Sequence, residues 1–125
     1  MKNITILGAT GSIGLNTLDV VSRHPDQFSV FAVSAHSEWK SLVQICKEHQ
    51  PSFAVLSEEA SAEKLRAVVP LGVEVLSGED SLDEIAAHPN TDFLMAAIVG
   101  GAGMSSTFSA AKAGKRIMLA NKESL

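Results

Sequence analysis

The chain has 125 residues, 46% of them hydrophobic and 19% charged, with nine Gly and four Pro. That is the balance of one compact domain able to bury a core without disulfides or a structural metal, and it excludes a disordered tail. The formal net charge is -4, and the ten Lys and Arg residues are scattered without a basic stripe, which argues against duplex nucleic acid as a partner while leaving room for an anionic ligand at a helix N-terminus.

Cys46 is the single cysteine, so no intramolecular disulfide or multi-thiolate metal site exists, and its place in SLVQICKEH reads as a buried helical thiol. The opening MKNITILG enters a strand pattern at once, with no room for a secretory leader, and no apolar run reaches the roughly eighteen residues of a membrane span. A cytoplasmic protein is the expectation.

Asn3 to Leu7 reads as a β-branched strand, which GATGSIG breaks before NTLDVVSRH continues with helical spacing through Leu15, Leu18 and Val21. His24-Pro25-Asp26 ends that helix, and Phe28 to Ser34 is the next strand. A helix from Glu38 to His49 stops at Pro51; a strand follows at Phe53 to Leu56, then a helix at Ala60 to Val69 started by Ser57-Glu58-Glu59. Val73 to Leu76 is a short strand and Ser81 to Ala87 a short helix. Phe93 to Val99 is the most continuously apolar segment and the candidate for a central parallel strand. Gly100 to Gly103 turns the chain, Ser105 to Ala113 is a small-residue helix closed near Gly114, and Arg116 to Ala120 is a strand. Strict alternation with short links predicts a Rossmann-like, doubly wound α/β fold with a mostly parallel sheet and helices on both faces. The chain stops at ANKESL, where the preceding units would start a helix, so it reads as a piece of a longer protein.

The first turn carries the chemistry. Gly8 allows a sharp exit from the strand, Gly11 lets backbone approach a diphosphate, and Gly14 lets the new helix pack close to the sheet. Thr10 and Ser12 add hydroxyls beside the N–H groups of Gly11, Ser12 and Ile13. Strand before and helix after meet the structural condition for a dinucleotide site, and no Lys follows as a nucleoside-triphosphate loop requires. A tight turn with no ligand is the bland alternative.

In such sites the end of the second strand, about 20 residues on, discriminates between the nicotinamide cofactors. Here it reads VSAHSEW. Ser34, His36 and Ser37 can donate to an added phosphate, which favours the phosphorylated cofactor, whereas Glu38 starts the next helix. His36 is equally explained as an exposed loop histidine, and Trp39 is better explained as helix packing than as an adenine platform.

A second constellation lies at later strand ends. Gly100, Gly101 and Gly103 admit a close ligand or simply a tightly packed helix. Asn121, Lys122 and Glu123 either contact ribose, carboxamide and an anionic substrate or begin a solvated helix. His24, His36, His49 and His88 are too separated for a metal site, and Asp80, Asp83 and Glu84 read as a solvated helix start.

The segments ITILGATGSIGLNTLDVV, MAAIVGGAG and KAGKRIMLANKESL, in this order and spacing, resemble the N-terminal NADPH-binding domain of the 1-deoxy-D-xylulose 5-phosphate reductoisomerase family, over essentially the entire chain. The resemblance implies an NADPH-dependent oxidoreductase that rearranges and reduces this sugar phosphate to 2-C-methyl-D-erythritol 4-phosphate in isoprenoid biosynthesis. It implies that Thr10, Gly11, Ser12 and Ile13 hold the cofactor diphosphate, that Asn121 and Glu123 contact the cofactor farther along, and that Lys122 meets the sugar phosphate. It also implies a homodimer using Mg2+, Mn2+ or Co2+, with metal ligands and the catalytic and C-terminal domains outside residues 1–125, so that this chain alone does not turn over substrate. Many members carry Gly-Lys-Asn where this chain has His36-Ser37-Glu38, which removes a cation from the expected phosphate site and adds a negative charge. The rival readings are another NAD(P)-dependent dehydrogenase, such as a semialdehyde or short-chain enzyme, and a non-catalytic nucleotide-sensing domain; the absence of Tyr disfavours the short-chain class.

Overall fold

The computed structural model describes residues 2–97 and 110–119. In chain order these form β1 (Lys2–Leu7), α1 (Ser12–Ser22), β2 (Phe28–Ala35), α2 (Trp39–His49), β3 (Phe53–Leu56), α3 (Glu59–Arg66), β4 (Glu74–Ser77), α4 (Glu79–Ala87), β5 (Phe93–Ala96) and β6 (Arg116–Leu119). The strands make one sheet in the order β4-β3-β2-β1-β5-β6, and every neighbouring pair is parallel. The chain steps outward from β1 to β4, then returns to the other side of β1. The order therefore reverses at β1, and the crevice beyond the carboxyl ends of β1 and β5 is the topological switch point, where open α/β sheets bind their ligands.

Two apolar layers hold the helices to the sheet. Leu18 and Val21 of α1, Leu42 and Cys46 of α2, and Ala62 and Leu65 of α3 pack with Ile4, Ile6, Val33 and Leu56 on one face. On the other, Leu82, Ile85 and Ala86 of α4, together with Ala110, pack with Leu7, Phe31, Val55 and Leu94. The expected doubly wound arrangement is thus present.

Several details differ from the sequence pattern for identifiable reasons. The alternation of β2 is broken because its register against β1 slips between Ile4 and Thr5, so that Val30 and Val33 share one layer while Phe31 and Ala32 share the other. Such an extra residue locally shifts side-chain facing. The buried stripe of α1 is Gly14, Leu18 and Val21, with Leu15 turned outward at 48% exposure to line an open hollow beside α2. Strands β1 and β2, more than β5, are buried on both faces; Phe93 and Met95 of β5 are only half-buried against the α1 layer. Residue 98 and those after it in the expected strand lie outside the described residues.

Helix ends also move. Helix α2 closes at Gln50, which adopts φ 47° and donates its N–H to the Cys46 carbonyl at 2.9 Å, ahead of Pro51. Helix α3 ends at Arg66 rather than Val69: the N–H groups of Val68 and Val69 both turn to the Leu65 carbonyl, at 3.0 and 2.9 Å. Helix α4 starts two residues early because Gly78, at φ 92°, redirects the chain into it.

One buried polar link ties α4 to the centre of the sheet. Thr91 donates to the Ile85 carbonyl at 2.8 Å, and its oxygen lies 2.8 Å from the Thr5 hydroxyl, both threonines being fully buried. Because the Thr91 proton is committed to Ile85, Thr5 is the donor of the pair. Replacing Thr91 by Val strands that donor, so Thr91→Val is expected to cost about 1–3 kcal/mol, and adding Thr5→Val should cost little more; urea denaturation of the single and double variants checks the coupling.

Cys46 is fully buried in the first layer, and burial pushes its thiol from 9.0 up to about 11. Folding therefore favours the protonated thiol, and its contribution to stability is intact below pH 9.0 and declines as pH rises toward 11. Thiol-disulfide exchange reagents at pH 8 should leave Cys46 unlabelled in the native protein and label it promptly in denaturant.

Candidate cofactor site

The glycine turn sits at the switch point. After Leu7 the chain reverses at Gly8, whose φ of 78° is the left-handed conformation that favours glycine. The Gly8 N–H donates to the Ser34 hydroxyl oxygen at 3.2 Å and the Ala9 N–H to the Ser34 carbonyl at 2.8 Å, which fastens the turn to β2. Gly11 then caps α1 in an extended conformation without any side-chain cap. Its carbonyl accepts from the Leu15 N–H at 2.9 Å. The first-turn N–H groups of Ser12 and Ile13 meet no acceptor among the described residues, and no acidic residue occupies that turn. The positive end of the helix dipole is left open for an anion.

The two later glycines differ in kind. A Cβ on Gly14 would lie 2.4 Å from the Gly8 carbonyl oxygen and 2.6 Å from the Ala9 Cα, so α1 can sit this close to the end of β1 only with glycine there. A Cβ on Gly11 would lie 3.7 Å from its nearest neighbour, the Gly8 oxygen, which is ordinary contact. Packing within the chain explains Gly14 and leaves Gly11 without a steric reason, as expected of a position kept bare for a ligand.

A cleft of about 580 Å³ runs from this turn across the carboxyl ends of the strands. Gly8, Thr10 and Gly11 form one end, Ser34 and Ala35 the floor, and His36, Glu38 and Ser57 the other end; Glu79 and Leu82 of α4 and Ala97 after β5 complete it. Ser12, Ile13 and Gly14 belong to the first turn of α1 beside it. Ser37 adjoins through its backbone.

At the far end the Glu38 carboxylate folds back over its own loop. One oxygen accepts from the Ser37 N–H at 2.8 Å and the His36 N–H at 3.2 Å. The Ser37 N–H is the main cause that holds the Glu38 carboxyl below the ordinary carboxylate range, partly offset by desolvation. The exposed His36 ring is also engaged, with Nδ1 2.9 Å from the Ser57 hydroxyl. Ser34, expected as a phosphate donor, is 1% exposed and its hydroxyl oxygen holds Gly8, so its task is to shape the turn. Trp39 is half-buried against the α1–α3 layer, in keeping with packing.

Gly8, Thr10, Gly11 and His36 therefore share one cleft. Gly100, Gly101, Gly103, Asn121, Lys122 and Glu123 lie outside the described residues. The sequence pattern missed Ser57, Glu79 and Leu82; the only signal for them is that each follows a strand whose carboxyl end meets the crevice. It also missed the fold-back of Glu38, which depends on backbone angles rather than on residue spacing.

The family model of 1-deoxy-D-xylulose 5-phosphate reductoisomerase matches residues 4–125. The chain belongs to that family. Curated reductoisomerases from Vesicomyosocius okutanii and Methylobacillus flagellatus are 58% identical over 125 residues and 53% identical over 126, each alignment covering the whole of this chain and 33% and 32% of the relative. The chain spans about a third of the length of the curated relatives it matches. Among solved structures, a DOX-P reductoisomerase in complex with NADPH, fosmidomycin and magnesium is 41% identical with a TM-score of 0.89, covering 100% of this chain and 31% of that one. The Zymomonas mobilis reductoisomerase in complex with NADPH is 39% identical with a TM-score of 0.90, covering 99% and 33%. Family membership sets aside the semialdehyde and short-chain dehydrogenases as readings of the glycine turn.

The contrast between Gly14 and Gly11 is open to direct test. Gly14→Ala should destabilise the protein by about 2–3 kcal/mol, because the backbone it meets cannot yield, whereas Gly11→Ala should stay within about 1 kcal/mol of the parent. Chemical denaturation measures both.

Proposed function

We propose that residues 1–125 form the NADPH-binding part of a reductoisomerase that converts 1-deoxy-D-xylulose 5-phosphate to 2-C-methyl-D-erythritol 4-phosphate in isoprenoid biosynthesis. The observation that carries this reading is the uncapped first turn of α1 at the switch point, where Gly11 lines the cleft with bare backbone and the N–H groups of Ser12 and Ile13 meet no acceptor among the described residues. NADPH complexes of two related structures support it.

Each residue then has a task. Gly8 aims the turn and Gly14 brings the helix close. The bare backbone of Gly11, the N–H groups of Ser12 and Ile13 and the hydroxyls of Thr10 and Ser12 receive the cofactor diphosphate, fixing it without a cation. The adenosine half runs along the cleft floor toward His36 and Ser37, which receive the ribose and its phosphate. The nicotinamide half extends toward the carboxyl end of β5, and Asn121 and Glu123 are assigned to the cofactor and Lys122 to the substrate phosphate. When bound, NADPH supplies the hydride of the reductive step. This chain's part is to orient the cofactor and, with the remaining domains, to keep water from the reacting carbon.

A divalent cation, Mg2+, Mn2+ or Co2+, belongs to the same proposal, and magnesium accompanies the related complex. Among the described residues no three His, Cys, Asp or Glu side chains converge to hold one; following the family resemblance, its ligands are assigned to the part of the protein outside residues 1–125. Among the described residues no helix is long and apolar enough to cross a membrane. A cytoplasmic homodimer that acts on a small sugar phosphate and not on nucleic acid completes the reading.

The test is isothermal titration of the full-length protein with NADPH and NADH. NADPH should bind, and Gly11→Asp, which puts a carboxylate where the diphosphate sits, should weaken it at least about a hundredfold while leaving the denaturation midpoint nearly unchanged. A folded parent that binds neither cofactor refutes the assignment. Residues 1–125 alone should yield no product from the sugar phosphate, NADPH and Mg2+; product formation would show that the missing domains are dispensable.

A further inference from the structure

The far end of the cleft contains a contradiction that the cofactor reading does not resolve. In dinucleotide folds the end of the second strand receives the adenosine ribose, and an acidic side chain there suits a free 2′-hydroxyl, while a 2′-phosphate asks for donors and positive charge. The donors are present: the N–H groups of His36 and Ser37 point to one spot, and that spot adjoins the cleft. They are already taken, because the Glu38 carboxylate lies on both, at 3.2 and 2.8 Å. Glu38 also lines the same cleft as Gly8, Thr10 and Gly11, so the carboxylate and the cofactor compete for one volume.

We infer that Glu38 sets the cofactor selectivity of this protein, its carboxylate acting as a built-in substitute for the 2′-phosphate that must leave the His36 and Ser37 N–H groups before NADPH can seat. The inference rests on the proposed NADPH site and names the residue that decides between its two possible guests. NADH has no phosphate to place there and leaves Glu38 where it is, free to accept from a ribose hydroxyl. NADPH must displace the carboxylate and then lie beside its charge. Glu38 therefore narrows the margin by which the phosphorylated cofactor is preferred, and the side chain is exposed, so it has room to swing away.

Two features make the contact local rather than a general effect of charge. Glu79, from the first turn of α4, lines the same cleft, yet its carboxylate has no bond to the His36 or Ser37 backbone. And the His36 ring is held by Ser57 at 2.9 Å, so it stays beside the cradle whether or not Glu38 leaves.

The experiment measures the dissociation constants of NADPH and NADH for the full-length parent, Glu38→Gln, Glu38→Ala and Glu79→Gln at low and high salt. Neutralising Glu38 as Gln should raise the affinity ratio of NADPH to NADH about three- to fivefold, and clearing the cradle as Ala should raise it about tenfold. The Gln effect should shrink as salt screens it, and NADH affinity should stay level or fall. Glu79→Gln should move the ratio by less than about twofold. The inference is overturned if NADPH binds the parent but neither Glu38 variant shifts the ratio, or if Glu79→Gln shifts it as much. A parent that binds neither cofactor removes the underlying NADPH reading as well, which separates the two failures.

Discussion

The close backbone approach of α1 to the end of β1 at Gly14 is the constraint on which the site depends. No side chain larger than hydrogen fits between the helix and the Gly8 and Ala9 backbone. That contact forces the helix to begin within the crevice instead of beyond it, which is what puts uncapped N–H groups and the positive dipole end where an anion can reach them. Ser34 supplies the complementary restraint from β2, through its hydroxyl to Gly8 and its carbonyl to Ala9. The turn is thus gripped on both sides by groups that never need to touch a ligand.

The sheet order makes this one position special. With β1 at the centre and the chain departing first to one side and then to the other, the carboxyl ends of β1 and β5 flank the point where the strand order reverses, which is where a sheet of this kind opens a crevice. The other strand ends contribute to the same crevice because every pairing is parallel, so all carboxyl ends lie on one edge. Ser57, Glu79 and Ala97 reach the cleft for that topological reason and no other. Apolar layers pack both faces of the sheet, and the buried Thr5–Thr91–Ile85 chain of hydrogen bonds ties α4 to β1.

Much of this was legible in the residues. The order of strands and helices, the stop before Pro51 and the glycine turn follow from periodicity and from backbone rules tied to residue type. What was not legible required partners distant in sequence. The slip in β2 that puts Phe31 and Ala32 in one layer arises from its pairing with β1, and alternation along β2 alone predicts the wrong face for half of it. Leu15 satisfies a helical apolar spacing but misses the core, because the tight contact at Gly14 fixes which side of α1 meets the sheet. Ser34 carries the right chemistry for a phosphate and is spent on the fold. In the site, the glycines were readable because their roles concern the backbone, whereas Glu38 was read only as a helix start and a charge of the wrong sign. Its bonds to His36 and Ser37 depend on φ and ψ values that spacing does not encode.

The polar groups of the cleft are in different states of readiness, and that difference is an energetic design. Among the described residues the N–H groups at Ser12 and Ile13 meet no acceptor, so an anion arriving there would keep the full charge-assisted bond. Those at His36 and Ser37 are satisfied within the chain, so a ligand gains there only the difference between its own bond and the one to Glu38. Under the proposed function the glycine-turn end would provide affinity and the second-strand end discrimination, since a small net difference between two cofactors is easily tuned by one side chain. The fold leaves the first set of donors without acceptors among the described residues and lets a neighbouring residue occupy the second, which is how one cleft could combine strong binding with adjustable selectivity.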